Sequence, residues 1–255
     1  MDVGVKTPLI DFFRRGEAAR DVRLQAAQGA LASRAHEQMA LLALLTSDAD
    51  AEIAAAANAT LGLIPPAVLA AFLARPDVTE DMRNFFAQRG VAPAEEAATE
   101  ADRPLVDTAE DPGIADEEDD EGSAMQRLQQ MTVPQKMSRA MKGTREERAI
   151  LVRDPNKLIS VAVLSSPKLT DSEVEAIAKM SSVSEEILRI ISNNRNWVKN
   201  YVVVSALARN PKTPLPVSMN LLNRLNEKDL KVLSTNRNIP EVLRTTARKK
   251  IVLNK

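Results

Sequence analysis

The chain has 255 residues, 44% hydrophobic but only 3% aromatic, with 8 glycines and no cysteine. That length admits one large domain or two small ones. An interior of Ala, Leu, Val, Ile and Met suits helix–helix contact better than a β-sandwich, and the lack of cysteine excludes disulfides, thiolate metal sites, iron–sulfur clusters and cysteine nucleophiles. The formal net charge of −1 conceals a partition: residues 1–94 carry 9 basic and 11 acidic side chains, residues 95–122 carry 1 and 13, and residues 123–255 carry 24 and 11.

The opening stretch, "MDVGVKTPLIDFFRRG", lacks a basic start, an apolar core and a small-residue cleavage site, so it does not read as a secretory signal. No run approaches the eighteen apolar residues of a membrane span, and a soluble, cytoplasmic protein is expected. Residues 1–90 predict an N-terminal helical-repeat domain. Its helical segments are "EAARDVRLQAAQGALA", "AHEQMALLALLTS", "ADAEIAAAANATLGL", "PPAVLAAFLA" and "TEDMRNFFAQRG", with ends marked by Ser33, Ser47, Asp48, Pro65, Pro66, Pro76 and Gly90. The run Ala54 to Ala57 allows close helix packing, and Phe72, Phe85 and Phe86 supply bulk. His36, the only histidine, stands beside Glu37 at a polar helix start and is expected to be a surface residue. A histidine-based zinc site needs partners that are absent.

Residues 91–123 read as an acidic disordered linker. The stretch "EEAATEADRPLVDTAEDPGIADEEDDEG" has little to bury, and its like charges repel. Two roles stay open for it: a solubilising tether, or a segment that lies against the basic C-terminal domain and competes with an anionic ligand.

Residues 124–255 predict a basic α-solenoid. In "SAMQRLQQMTVPQKMSRAMKG", Met125, Met131, Met137 and Met141 with Leu128 and Val133 form either an adaptable partner face or a cap on the solenoid's first end. Beyond it, "VLSSPKLT", "IAKMSSVS", "ISNNRNWV", "LARNPKTP" and "LSTNRNIP" each place a turn after an apolar helix end. Their fourth residues, Ser166, Met180, Asn194, Asn210 and Asn236, mark the stops. Most intervals fit one helix of about three turns plus a short connection. Pro211 ends one helix, Pro214 and Pro216 sit near the start of the next, and Thr170, Ser184 and Thr213 suit N-caps. The apolar series Leu158, Val161, Ala162, Val163; Val174, Ile177, Ala178; Ile187, Leu188, Ile190, Ile191; Val198, Val202, Ala206; and Leu221, Leu222, Leu225 make each piece amphipathic. Such short helices bury their faces by stacking on neighbouring copies.

On these residues the chain resembles known helical repeats. "ALARNPKTPLPV" is similar to the leucine-rich-repeat-variant and HEAT-like units of bacterial proteins, in which an "NP-x-TP" turn joins two short helices. "LLTSDADAEIAAAANATLGLIP" also resembles a HEAT-like unit. The resemblance implies an all-α, armadillo-type fold of two small helical-repeat (αα-superhelix) domains, and a solenoid that works as a binding surface.

Motifs of chemistry do not emerge. There is no Gly-x-Ser-x-Gly elbow, P-loop or dinucleotide fingerprint, and "MKGTREER" lacks the order a phosphate loop requires. The expectation is a protein that is not an enzyme and uses no cofactor and no metal. Binding surfaces remain. "NNRNWVKNY" holds the only Trp and the only Tyr, four residues apart and read here as sharing one helix face, among Arg195, Lys199 and asparagines. Basic side chains gather at Arg139, Lys142, Arg145, Arg148 and Arg153, and again at Arg244, Arg248, Lys249, Lys250 and Lys255. The candidate partner-binding residues are therefore Arg195, Trp197, Lys199, Tyr201, Arg244 and Arg248. The expected function is a non-catalytic scaffold that takes a protein or peptide partner in the solenoid groove. The alternative is nucleic-acid binding through the basic face.

Overall fold

A computed structural model describes residues 3–32, 34–97, 103–106 and 121–253. Every long regular element among them is an α-helix, and none is a strand. In chain order they are α1 (Pro8–Arg14), α2 (Arg20–Ala27), α3 (Ala35–Leu45), α4 (Ala51–Leu63), α5 (Pro66–Leu73), α6 (Glu80–Ala87), α7 (Glu121–Gln130), α8 (Val133–Lys142), α9 (Arg145–Leu151) and α10 (Lys157–Leu164). They continue with α11 (Asp171–Lys179), α12 (Glu185–Asn193), α13 (Tyr201–Arg209), α14 (Leu215–Leu221), α15 (Glu227–Thr235) and α16 (Glu241–Leu253). The stop at Ser33 and most of the acidic stretch, 98–102 and 107–120, lie outside the described residues.

The chain forms two compact units. The first comprises Met1–Leu151 with Asn156–Lys168, the second Val152–Pro155 with Leu169–Lys255. The sequence places its boundary in the acidic stretch; the compact units divide further along, because α8 and α10 pack with the N-terminal helices, and α9 packs on α8 and α10 and α7 on α9. The reason lies in α10, "KLISVAVL", where all of Leu158 to Leu164 are buried. A helix without a polar face needs neighbours around its whole circumference. In the first unit α8 and α1 lie against it, and α2 lies against α8. Leu9, Ile10, Phe12 and Phe13 of α1 are buried. Leu128, Met137 and Met141 are core residues too, so these methionines do not form a free face, although Met125 is exposed.

Part of the basic cluster is also committed to structure. Glu147, 1% exposed, accepts a hydrogen bond from the Thr144 N–H at 3.0 Å and lies 3.6 Å from Arg139. Arg148 is buried and donates to the Gly143 carbonyl at 2.8 Å.

The second unit is built from α11 to α16. Within it α11 stacks on α13, α14 on α16, and α15 on α16. The inward residues include Val174, Ile177, Ile187, Leu188, Ile191, Val203, Val204, Leu207, Leu230 and Leu233. Val202 departs from the expected apolar face and is 42% exposed. The Asn200 side chain caps the Val202 N–H at 2.9 Å and starts α13 there, a register that turns Val203 and Val204 inward instead.

The asparagine stops work as the sequence suggests. Asn194, Asn210 and Asn236 are the C-caps of α12, α13 and α15. In each, the side-chain oxygen accepts the N–H two residues on, at 3.0, 3.0 and 2.9 Å, which folds the chain into a tight turn. Asn210 does more. Its Nδ2 donates to the carbonyls of Ala178 and Met180, both at 2.9 Å, and so ties the end of α13 to the end of α11. Ser166 repeats the device in the first unit by donating to the Met141 carbonyl at 2.7 Å. Thr170 and Ser184 cap α11 and α12. Thr213 does not cap α14; it is buried and donates to the Leu207 carbonyl at 2.7 Å, closing the helix behind it.

Replacing Asn210 with Ala strands two carbonyls and opens the turn. At about 1–3 kcal/mol per unsatisfied buried group, Asn210→Ala is expected to destabilise the second unit by roughly 2–4 kcal/mol in urea denaturation. Asn236→Ala, which loses the turn bond to the Asn238 N–H, is expected to cost about 1 kcal/mol. Equal effects at the two sites would refute the tie.

Candidate functional site

α13 and its C-cap carry two rows at four-residue spacing, Tyr201–Ser205–Arg209 and Val202–Ala206–Asn210, of which Tyr201 and Val202 are exposed while Ala206 and Asn210 are buried. With Lys179 at the end of α11 and Pro211 in the following turn, they line an open cleft of about 340 Å³. The side chains that line it are positioned by neighbouring elements. The Asn200 Nδ2 donates to Glu175 of α11 at 2.8 Å and so fixes where α13 begins. Asp229 of α15, whose side chain is 11% exposed, accepts the Tyr201 hydroxyl on one oxygen and the Arg209 guanidinium on the other. The Tyr201 oxygen in turn accepts the Asn226 N–H at 3.1 Å.

One carboxylate thus holds both ends of the Tyr201 row, two helical turns apart. The phenol is pinned by its tip while the residue remains 39% exposed, next to exposed Val202. A pinned ring and an exposed β-branched side chain offer apolar area at low entropic cost. Lys179 lies at one margin of this surface. The positive charge of Arg209 is already answered by Asp229.

Of the six residues singled out from sequence, only Tyr201 lines the cleft. Trp197 lies on a separate 3₁₀ turn, Trp197–Lys199, and is half-buried. The Asn200 cap interrupts the helix between the two rings, so they do not share one helix face. Arg195 is exposed in the preceding turn, and Lys199 reaches Asn196 at 3.4 Å. On α16, Arg244 is half-buried, whereas Arg248 donates through Nε and Nη2 to the Ser234 carbonyl at 3.2 and 3.1 Å. That places the Arg248 guanidinium at the C-terminal end of α15, a structural position. Lys179, Val202 and Arg209 are among the cleft residues that sequence reasoning misses; Val202 and Arg209 lie on α13, and Lys179 comes from α11.

His36 is not the surface residue expected. Its side chain is 15% exposed, with Nε2 3.6 Å from Asp77 and the ring edge-on to Phe72 at 5.1 Å. Among the described residues no group of three or more His, Asp or Glu is placed to hold a metal ion. No single helix there is long and apolar enough to cross a membrane.

No protein-family model matches the chain, and neither a curated protein nor a solved structure is found to be similar to it.

Burial, reinforced by the Asp229 carboxylate that accepts its proton, raises the Tyr201 phenol above its ordinary value of 10.0. The folded state therefore holds this proton more tightly than the unfolded chain. The resulting stability is whole below pH 10 and is lost as pH rises through the folded value. Tyr201 is the only tyrosine, so phenolate absorbance reads it alone. A midpoint above 10 is expected in the native protein, moving down in Asp229→Asn. A native midpoint at or below 10 would break the Tyr201–Asp229 assignment.

Proposed function

We propose that this chain is a non-catalytic adaptor of the HEAT-like, leucine-rich-repeat-variant kind, which takes a short segment of a protein partner into the α13 cleft of its second unit. The observation that carries the reading is Tyr201, fixed at its tip by Asp229 and itself exposed, next to exposed Val202. An aliphatic side chain of the partner fits over that pair, and a carboxylate beside it fits Lys179. The side chains of the cleft supply anchoring rather than turnover. The phenol is a weaker acid than usual, and both Asp229 oxygens are engaged.

Nucleic acid is the less favoured occupant. The Asp229 carboxylate already binds two of the lining residues, Tyr201 and Arg209, a single aromatic lines the cleft, and Arg148 and Arg248 are turned to backbone carbonyls. Stacking platforms that track a phosphate backbone need the opposite balance.

Affinity capture with the full chain tests this reading. Val202→Glu and Lys179→Glu are each expected to reduce capture of the partner at least about tenfold, roughly 1.4 kcal/mol or more. Arg244→Glu is expected to leave it unchanged. Nuclease-sensitive material on the column, or equal capture by Val202→Glu, would contradict the proposal.

A further inference from the structure

The polar groups that line the α13 cleft are unevenly engaged. The Asn210 Oδ1 accepts the Lys212 N–H at 3.0 Å, and the Tyr201 oxygen accepts the Asn226 N–H at 3.1 Å while its proton goes to Asp229. Two side chains are free. Among the described residues the Lys179 ammonium and the Ser205 hydroxyl make no hydrogen bond or ion pair, and Lys179 is exposed. A lysine at a helix end ordinarily answers the last carbonyls. Here the Asn210 Nδ2 answers those of Ala178 and Met180, both at 2.9 Å, so the Lys179 charge is not needed for that role. The Arg209 charge is met by Asp229, and none of the lining residues is acidic. The cleft therefore holds one unanswered positive charge and no unanswered negative one.

The helix itself sets the distance between the apolar and the charged end. Tyr201 and Val202 stand in the first turn of α13. Asn210 caps its other end, and its amide brackets Lys179 by holding the carbonyls on either side of it. From Val202 to Asn210 is a rise of about 12 Å, with Ser205 between them. In an extended chain alternate side chains point the same way, and residues four apart lie about 13 Å from each other. Residues two apart, at about 7 Å, fall short.

We propose that the α13 cleft selects an extended acidic segment of a partner protein, with an aliphatic side chain over Tyr201 and Val202, a carboxylate four residues away on Lys179, and the Ser205 hydroxyl meeting the stretch between them. This rests on the cleft being the partner site, and adds to that reading the sign of the charge and the spacing. The carboxylate displaces no existing partner of Lys179, so the pair forms without breaking another. Its attraction at an exposed site is modest and screened by salt. The apolar contact at Tyr201 and Val202 supplies affinity, and the ion pair supplies choice among segments that share an aliphatic residue.

The test is a nuclear magnetic resonance titration of the full chain, followed at the ring signals of Tyr201, the only tyrosine. The probes are the peptide Gly-Leu-Thr-Ala-Thr-Glu-Gly, blocked at both ends, and the same residues in reverse order, because an extended chain can run either way along the cleft. One of the two is expected to move the Tyr201 signals with half-saturation at about 1 mM or below. Replacing its Glu by Gln is expected to weaken binding at least about threefold, and so is exchanging its Ala and Glu, which brings the carboxylate to two residues from Leu. In the chain variant Lys179→Gln, which alters an exposed side chain without partners, the Glu and Gln peptides are expected to bind alike. Equal binding of the Glu and Gln peptides to the native chain, equal binding at both spacings, or a Glu–Gln difference that survives Lys179→Gln overturns the inference. Because Tyr201 still responds in those cases, the cleft remains a partner site. No response of Tyr201 to either peptide up to about 10 mM also overturns the inference, and the cleft as partner site then stands or falls with the affinity capture.

Discussion

A helix of nine residues leaves its first four N–H groups and last four carbonyls without partners inside the helix. This chain is made of such helices, most of them seven to thirteen residues long. The structure depends on how those groups are answered. Carboxamide and hydroxyl side chains do much of it: Thr7, Asn156, Thr170, Ser184, Asn200 and Asn226 at helix starts, and Asn194, Asn210 and Asn236 at helix ends. Where such a side chain reaches past its own helix, as Asn210 does to Ala178 and Met180, it also sets how one helix lies on another. Capping and stacking are then a single interaction.

The same chemistry positions the α13 cleft and an internal tie of the first unit. Asn200 fixes the start of α13, and that start decides that Val203 and Val204 point inward while Tyr201 and Val202 face the cleft. Gln38 uses its amide on backbone groups as Asn210 does, but most of its partners belong to a segment of chain rather than to a helix end. In both places a polar side chain occupies a buried position because its partners are fully matched. A half-matched one would be costly.

The sequence shows the helical class, the stops and most of the inward faces clearly, because proline, asparagine and the apolar period act locally. The grouping of α10 with the N-terminal helices was visible only in part. Its run of apolar residues announces burial on all sides, but which helices cover it is decided by contacts distant in sequence. Thr213 and Thr170 look alike as capping residues; one caps a helix start, and the other bonds the turn behind it. The candidate site was less legible. Trp197 and Tyr201 attract attention as rare residues, yet the cap between them puts them on different elements. Asp229, which orders the cleft, comes from a helix 28 residues further on, and nothing local marks it. The acidic composition around residues 103–106 likewise hides a segment that Gln38 holds.

Native-state hydrogen exchange across residues 169–253 tests the central claim most directly. If turn side chains bind one helix to the next but one, the amides of α11 and α13 will share one opening free energy and one dependence on denaturant. If α11 opens at markedly lower denaturant than α13, the helices are held by apolar contact alone and the account of the turns is wrong.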